Sequence, residues 1–154
     1  MPPRIKTISA LKEIKEILKI HDEAWNHSTG ILGLLKNSSE CFIVLDNNSL
    51  IVGYAFVEED RIRGFVELQD IVISPSYRKQ GYGKLLMKTI MKKYSYIKLI
   101  ARANNQSLIS FYQDLGFNKD SLIENYYDVG EDGIRMSWQS DKNYLSIQPG
   151  RKND

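Results

Sequence analysis

Residues 64–101, "GFVELQDIVISPSYRKQGYGKLLMKTIMKKYSYIKLIA", change their periodicity twice, and the two changes decide the fold. "GFVELQDIVI" (64–73) is apolar and β-branched, the composition of a strand. Ser74-Pro75 ends it, because proline has no N–H to give a central ladder. From Gly81 to Tyr94 the spacing becomes helical, with Leu85, Leu86, Ile90 and Met91 on the inward face. "IKLIA" (97–101) is a strand again. Strand, helix and strand in this order make a βαβ crossover, which predicts parallel strands and a right-handed connection. Gly81 and Gly83 stand where the helix begins, with Arg78, Lys79 and Lys84 around them. Bare backbone and positive charge at a helix start suit an anion, most often a phosphate.

The flanking sequence extends this unit into a mixed sheet. Upstream, "RIKTI" (4–8) reads as a short strand, and Leu11, Ile14, Leu18 and His21, widened by Ile17, recur at helical spacing. "GILGLLKN" (30–37) reads as a second short helix. "CFIVLD" and "LIVGYAFVE" are apolar strands separated by the hairpin signal "NNS". Downstream, "NQSLISFYQDLG" (105–116) is a short helix with Gly116 suited to its C-terminal cap. "FNKDSLIENYY" and "IRMSW" form a last hairpin around "DVGEDG". The predicted order is β-α-α-β-β-β-α-β-α-β-β, an α/β chain with helices on both faces of the sheet. Residues 1–138 make a single domain, and residues 139–154 lack any period and read as a loose tail.

Composition narrows the function classes. Of the 154 residues, 42% are hydrophobic and 26% charged, the profile of a globular domain. No apolar run approaches the ~18 residues that cross a bilayer, and the N-terminus lacks the apolar core of a signal peptide. A single cysteine, Cys41, inside the apolar run "CFIVL" excludes a disulfide framework and points to a reducing, cytoplasmic setting. A net charge of +2 is too small to argue for nucleic-acid binding. His21 and His27 show no metal-ligand spacing, so no metal is expected.

The glycines fit neither of two common phosphate motifs. A Walker loop needs four residues between its glycines and Ser or Thr after the lysine, whereas Leu85 follows Lys84. A dinucleotide fingerprint needs a third glycine at a spacing where none occurs. "IVISPSYRKQGYGKLLM" instead resembles the acyl-CoA signature of the GNAT acetyltransferase superfamily, Arg/Gln-x-x-Gly-x-Gly/Ala, here Arg78, Gly81 and Gly83. "NNQSLISFYQDLGF" resembles that family's second signature through Asn105, Phe111, Tyr112, Gly116 and Phe117, with Leu108 where Ala is usual. "ENYYDVGEDGIRMSW" is similar to the branch that acetylates protein N-termini, including the ribosomal-protein alanine and archaeal N-terminal acetyltransferases. Tyr126 and Tyr127 match the groove-lining pair of that branch, and Gly133 replaces its Ala.

The resemblance implies the GNAT fold, a mostly antiparallel sheet of about seven strands with a parallel crossover in the middle, and acetyl-CoA as co-substrate. It places the pantetheine arm along the backbone of Ile71, Val72 and Ile73. It places the pyrophosphate on Arg78, Lys79, Gln80, Gly81, Tyr82, Gly83 and Lys84, with Asn105 steadying the arm or the adjacent loop. Tyr112 corresponds to the family's general acid, also beside the cofactor. A thiol pKa of ~8.5 against ~10 for tyrosine makes that proton transfer only slightly uphill. Glu67 lies where several family members keep a catalytic glutamate, acting directly or through water. Asp70 is close, but strand alternation turns it to the opposite face unless a bulge intervenes. The bacterial ribosomal-protein enzymes place a glutamate on the next strand, where Ile100 stands here. The expected activity is acetyl transfer to a primary amine, with protein or peptide N-termini as acceptors bound by Tyr126 and Tyr127. A lysine or small-amine acetyltransferase and a non-catalytic acyl-CoA-binding module are the alternatives. Monomer and homodimer remain open.

Overall fold

The alternating runs assemble into one seven-stranded sheet with spatial order β1-β2-β3-β4-β5-β7-β6. The strands are β1 (Arg4–Thr7), β2 (Glu40–Leu45), β3 (Ile51–Asp60), β4 (Phe65–Ile73), β5 (Tyr96–Arg102), β6 (Asn118–Asp128) and β7 (Glu131–Gln139). The helices are α1 (Leu11–Trp25), α2 (Tyr82–Lys93) and α3 (Gln106–Asp114). The structure, a computed structural model, describes residues 2–9, 11–25, 33 and 39–141. Apart from residue 33, the helix expected over 30–37 lies outside the described residues, as does the tail from residue 142 onward. β4 and β5 are parallel, joined through α2, and every other neighbouring pair is antiparallel.

Each face of the sheet has its own apolar layer. On one face, Ile17 and Ile20 of α1 pack on Cys41, Ile43, Tyr54, Phe56 and Val72. On the other, Leu86, Met87 and Ile90 of α2 and Ile109 of α3 pack on Val57, Val66, Leu68, Ile97 and Leu99. Full burial of such a side chain stabilises by roughly 1.5–3 kcal/mol. The buried stripe of α2 is Tyr82, Leu86, Met87 and Ile90. Leu85 and Met91, expected inward, sit at its margin, because the stripe centres on the 82-86-90 row. Cys41 is buried, and burial followed by the charges of Glu13 and Glu40 pushes its thiol up to about 12.

Aspartates shape the turns. Asp46 Oδ1 accepts from the N–H groups of Asn48 and Leu50, which closes the β2–β3 hairpin. Asp60 Oδ1 accepts from Ile62 and Arg63 at the β3–β4 turn. The last hairpin is tighter than "DVGEDG" suggests: only Val129 and Gly130 separate β6 from β7. Asn125 Oδ1 accepts from Gly130 N–H at 2.7 Å, and Asp132 Oδ1 from Asn125 N–H at 2.8 Å. These bonds hold Asn125 at φ +53° and let β6 bulge between Ile123 and Asp128.

Two irregularities in β4 position the site. Phe56 pairs with Asp70 but the next residue, Val57, pairs with Leu68, so Gln69 is an extra residue bulged out of the strand. Parallel pairing of β4 with β5 is confined to Val66–Ile97 and Glu67–Lys98. Beyond Glu67 the two strands splay apart in the middle of the sheet.

Candidate active site

The bulge reverses the expected facing of Asp70. Residues paired directly across a ladder share a face. Glu67 is opposite Glu58, Asp70 opposite Phe56 and Val72 opposite Tyr54, so all three β4 residues face α1. Leu68, Ile71 and Ile73 face α2 and α3. Simple alternation would have put Glu67 and Asp70 on opposite faces, and the extra residue Gln69 brings them onto the same one. The two are roughly 7 Å apart along the strand, two pleats of ~3.3–3.4 Å. Glu67 is still within the paired part of β4, whereas Asp70 lies in the splayed part.

Asp70 is held from behind. The Tyr54 hydroxyl donates to its Oδ2 at 2.9 Å, and His21 Nδ1 lies 2.7 Å from the same hydroxyl. The tyrosine has one proton and gives it to Asp70, so His21 donates through Nδ1–H. His21 Nδ1 is also 3.6 Å from Asp70 Oδ2. Burial raises the Asp70 pKa above the usual carboxylate range, partly offset by Tyr54, His21 and the Ile71 N–H. Burial, then the negative field of Asp70, likewise pushes the Tyr54 hydroxyl up.

Tyr112 stands on the other side of the splay. It is 3% exposed, between Phe111 and Phe117, at ring-centroid distances of 5.3 and 5.6 Å. Its hydroxyl makes no hydrogen bond among the described residues, and none of their buried polar side-chain atoms is left without a partner. The accessible part of Tyr112 is therefore the hydroxyl. Burial raises its pKa first, followed by the fields of Asp70 and Tyr127. Asp70 and Tyr127 thus lie near enough to Tyr112 for their charges to act on its hydroxyl. The Tyr127 hydroxyl donates to the Ile100 carbonyl at 3.0 Å, and Arg102 stacks 4.2 Å above its ring. Tyr126 meets Tyr127 edge-on at 4.9 Å, and its Cβ is 3.1 Å from where a Cβ on Gly133 would sit.

The loop from β4 to α2 carries the residues expected to meet an anion. Gly81 is the N-cap of α2 at φ +89°, with no side-chain hydrogen bond to the first turn. A Cβ there would meet nothing within 4 Å, and the first-turn N–H groups carry no side-chain cap. Arg78 Nε donates to the Ile73 carbonyl at 3.1 Å and ties the loop to the end of β4. Gln80 binds the Ser76 carbonyl, and Lys79 takes the left-handed conformation at φ +60°. The Tyr82 side chain is buried and meets Tyr77 edge-on, so only its backbone remains for an anion. Asn105 caps α3, its Oδ1 accepting from Leu108 N–H at 3.1 Å. The uncapped helix start and the unpaired β4 edge beside it fit a molecule with a diphosphate and an extended amide arm.

The acetyltransferase (GNAT) domain family matches residues 37–119, from just before β2 through the splay and both signature helices. The chain is a GNAT acetyltransferase. An uncharacterized N-acetyltransferase of Methanocaldococcus jannaschii is 28% identical over 134 residues, 81% of this chain and 85% of its own. The ribosomal protein bS18-alanine N-acetyltransferase of Escherichia coli is 33% identical over 78 residues, 46% of this chain and 53% of its own. The solved structure of the E. coli ribosomal-protein-S18-alanine enzyme superposes with a TM-score of 0.74 over 99% of this chain and 98% of that one, at 21% identity. An aminoglycoside 6'-N-acetyltransferase solved with coenzyme A gives 0.76 over 88% and 96%, at 13% identity. This GNAT enzyme is an N-acetyltransferase with acetyl-CoA as co-substrate, and acceptors differ widely across the shared fold. Among the described residues no group of three or more His, Cys, Asp or Glu could hold a metal, and no helix is long and apolar enough to cross a membrane.

Proposed function

We propose that this enzyme acetylates the N-terminal α-amine of proteins or peptides. The observation that carries the reading is Tyr127, fixed by Ile100 and Arg102 at the mouth of the splay. Its hydroxyl proton is given to Ile100, so toward a substrate it can only accept, as from the N–H of a peptide's first residues. The similarity to the bS18-alanine enzyme supports the same acceptor class. Acetyl-CoA supplies the acyl group when bound, held by the α2 first turn, Arg78, Lys84 and the unpaired edge at Ile71, Val72 and Ile73. Tyr112 gives the leaving sulfur its proton, and the proton lost by the amine passes through water to Glu67. A cytoplasmic site of action accords with the lone, buried Cys41.

The amine chemistry favours this acceptor. An α-amine has a pKa of ~7.7–8.0 and a lysine ~10.4, so at pH 7 about a tenth of the former is neutral and well under a thousandth of the latter. A carboxylate base is better matched to the first. Peptides with a free N-terminus are therefore expected to react far faster than N-blocked peptides carrying an internal lysine, followed by thiol release. Tyr127→Ala raises the peptide KM and leaves acetyl-CoA binding intact. Equal rates on the blocked lysine peptide would overturn the N-terminal assignment.

A further inference from the structure

The His21–Tyr54–Asp70 chain is not accounted for by cofactor binding. It is a run of three polar groups under the splay, two of them buried, on the face that α1 covers. A polar chain there has a cost in desolvation that an apolar trio would avoid. Its donors all point one way: Nδ1–H of His21 to Tyr54, and O–H of Tyr54 to Asp70 Oδ2. This arrangement fixes one carboxylate oxygen and leaves Oδ1 uncommitted to any side chain among the described residues.

We propose that Asp70 is the immediate proton acceptor for the substrate amine, with His21 and Tyr54 as positioning residues behind it and Glu67 acting two pleats further out. Three observations support it. Pairing of β4 with β5 ends at Glu67, so Asp70, and not Glu67, borders the opening. The Gln69 bulge turns Asp70 onto the α1 face, beside Glu67. Asp70 also lies close enough to Tyr112 for its charge to act there. The inference rests on the acetyltransferase reading of the site, not on which amine is used.

The protons balance as follows. An N–H proton passes to Asp70 Oδ1 and its electron pair stays on nitrogen. The C–N bond forms as the C–S bond breaks, and the sulfur takes the Tyr112 proton. The proton on Asp70 leaves through water toward Glu67, and one proton from solvent restores Tyr112. An acceptor that arrives as ammonium releases one further proton by the same route. The groups around Asp70 are His21 from α1, Tyr54 from β3, Glu67 on its own strand and Tyr112 from α3, with Asp22 and Cys41 acting on Tyr54.

The test is the pH profile of kcat/KM for wild type, Asp70→Asn, Tyr54→Phe, His21→Gln and Glu67→Gln, using whichever amine a panel of free-N-terminal, N-blocked lysine and polyamine acceptors selects. A failed N-terminal assignment changes the acceptor and not this test. Asp70→Asn is expected to lose ~10²-fold at pH 7, the scale of a lost general base, with acetyl-CoA affinity kept. The loss narrows at high pH, where the amine deprotonates unaided. Tyr54 lowers the Asp70 pKa, so Tyr54→Phe moves the acidic limb up by roughly 0.5–1 pH unit, the worth of one hydrogen bond, and His21→Gln moves it the same way. Glu67→Gln slows the reaction without moving that limb. Carbon-13 titration of the Asp70 carboxyl, assigned by its loss in Asp70→Asn, needs no acceptor and should follow the same upward shift in Tyr54→Phe. Asp70→Asn within threefold of wild type, a limb moved only by Glu67→Gln, or a carboxyl pKa indifferent to Tyr54→Phe each overturns the assignment.

Discussion

Ile100 occupies the space that a side chain at residue 133 would need: a Cβ built on Gly133 lies 2.8 Å from Ile100 Cγ2. The sequence departs from its family resemblance at both positions, and the structure shows that the two departures belong together. The isoleucine methyl and the bare glycine are complementary halves of one contact, with the Tyr126 ring closing it. Gly133→Ala alone is expected to destabilise by ~1–3 kcal/mol, the usual cost of overpacking. Adding Ile100→Ala should recover part of that loss. A double-mutant cycle by urea denaturation reads the coupling, and additive effects would show that the contact is relieved elsewhere.

Tyr112→Phe should separate chemistry from folding. The hydroxyl makes no hydrogen bond among the described residues, so its removal leaves the midpoint of thermal unfolding nearly unchanged. A lost general acid lowers kcat by roughly 10²-fold, with acetyl-CoA affinity nearly kept. A kcat within a few-fold of wild type would leave Tyr112 as an aromatic packing partner of Phe111 and Phe117.

Gly81 and Gly83 are constrained differently. Gly81 has φ +89° and open space around it, so Gly81→Ala strains the backbone by ~1–2 kcal/mol without a steric clash. A Cβ at Gly83 would make ordinary contacts of 3.7 Å with Ile73 and Phe111. Gly83→Val adds bulk beside the helix start and should weaken acetyl-CoA binding, read by calorimetric titration. Unchanged affinity in a folded variant would make Gly83 a turn-former only.

Asp70→Asn is expected to be more heat-stable than wild type at neutral pH. The folded-state pKa of Asp70 is raised. A raised group stabilises fully below its unfolded pKa of ~3.9, and that contribution is lost as pH rises through the folded value. Asparagine does not ionise and can still accept from Tyr54. The gain in unfolding temperature should therefore be small at pH 4 and grow above it, measured by scanning calorimetry. A gain that is constant with pH would show that Asp70 titrates as it does in the unfolded chain.

The sequence made the architecture legible because its periodicities are clean. The strand–helix–strand run of 64–101, the hairpin at Asp46 and the cap at Gly116 (φ +100°) all appear in the structure. The acceptor face was harder to see. The consecutive polar pair Gln69-Asp70, between the alternating stretch 66–69 and the apolar run 71–73, is the local sign of the bulge. It does not say which residue is extruded, since that depends on pairing with β3. Tyr54 and His21 gave no signal either. Tyr54 reads as an apolar strand residue and His21 as part of a helix stripe, and they meet only because α1 crosses β3 and β4. Tyr82 and Asn105 carry family-motif positions, yet their side chains are used for packing and capping.

Two rungs are all that stitch the halves of the sheet together between β4 and β5. The molecule therefore has an interior seam, where cohesion depends on the α2 and α3 packing and on whatever lies in the gap. A bound co-substrate acts there as mortar. Ligand present at a hundred times its dissociation constant adds ~2.7 kcal/mol to stability by mass action alone. Seam-facing amides of residues 68–73 should exchange with deuterium quickly in the free enzyme and slow sharply when acetyl-CoA is added, more than amides of the β2–β3 ladder. The rigidity of the fold then tracks the supply of acetyl-CoA around it, and an enzyme starved of its donor is also a softer protein.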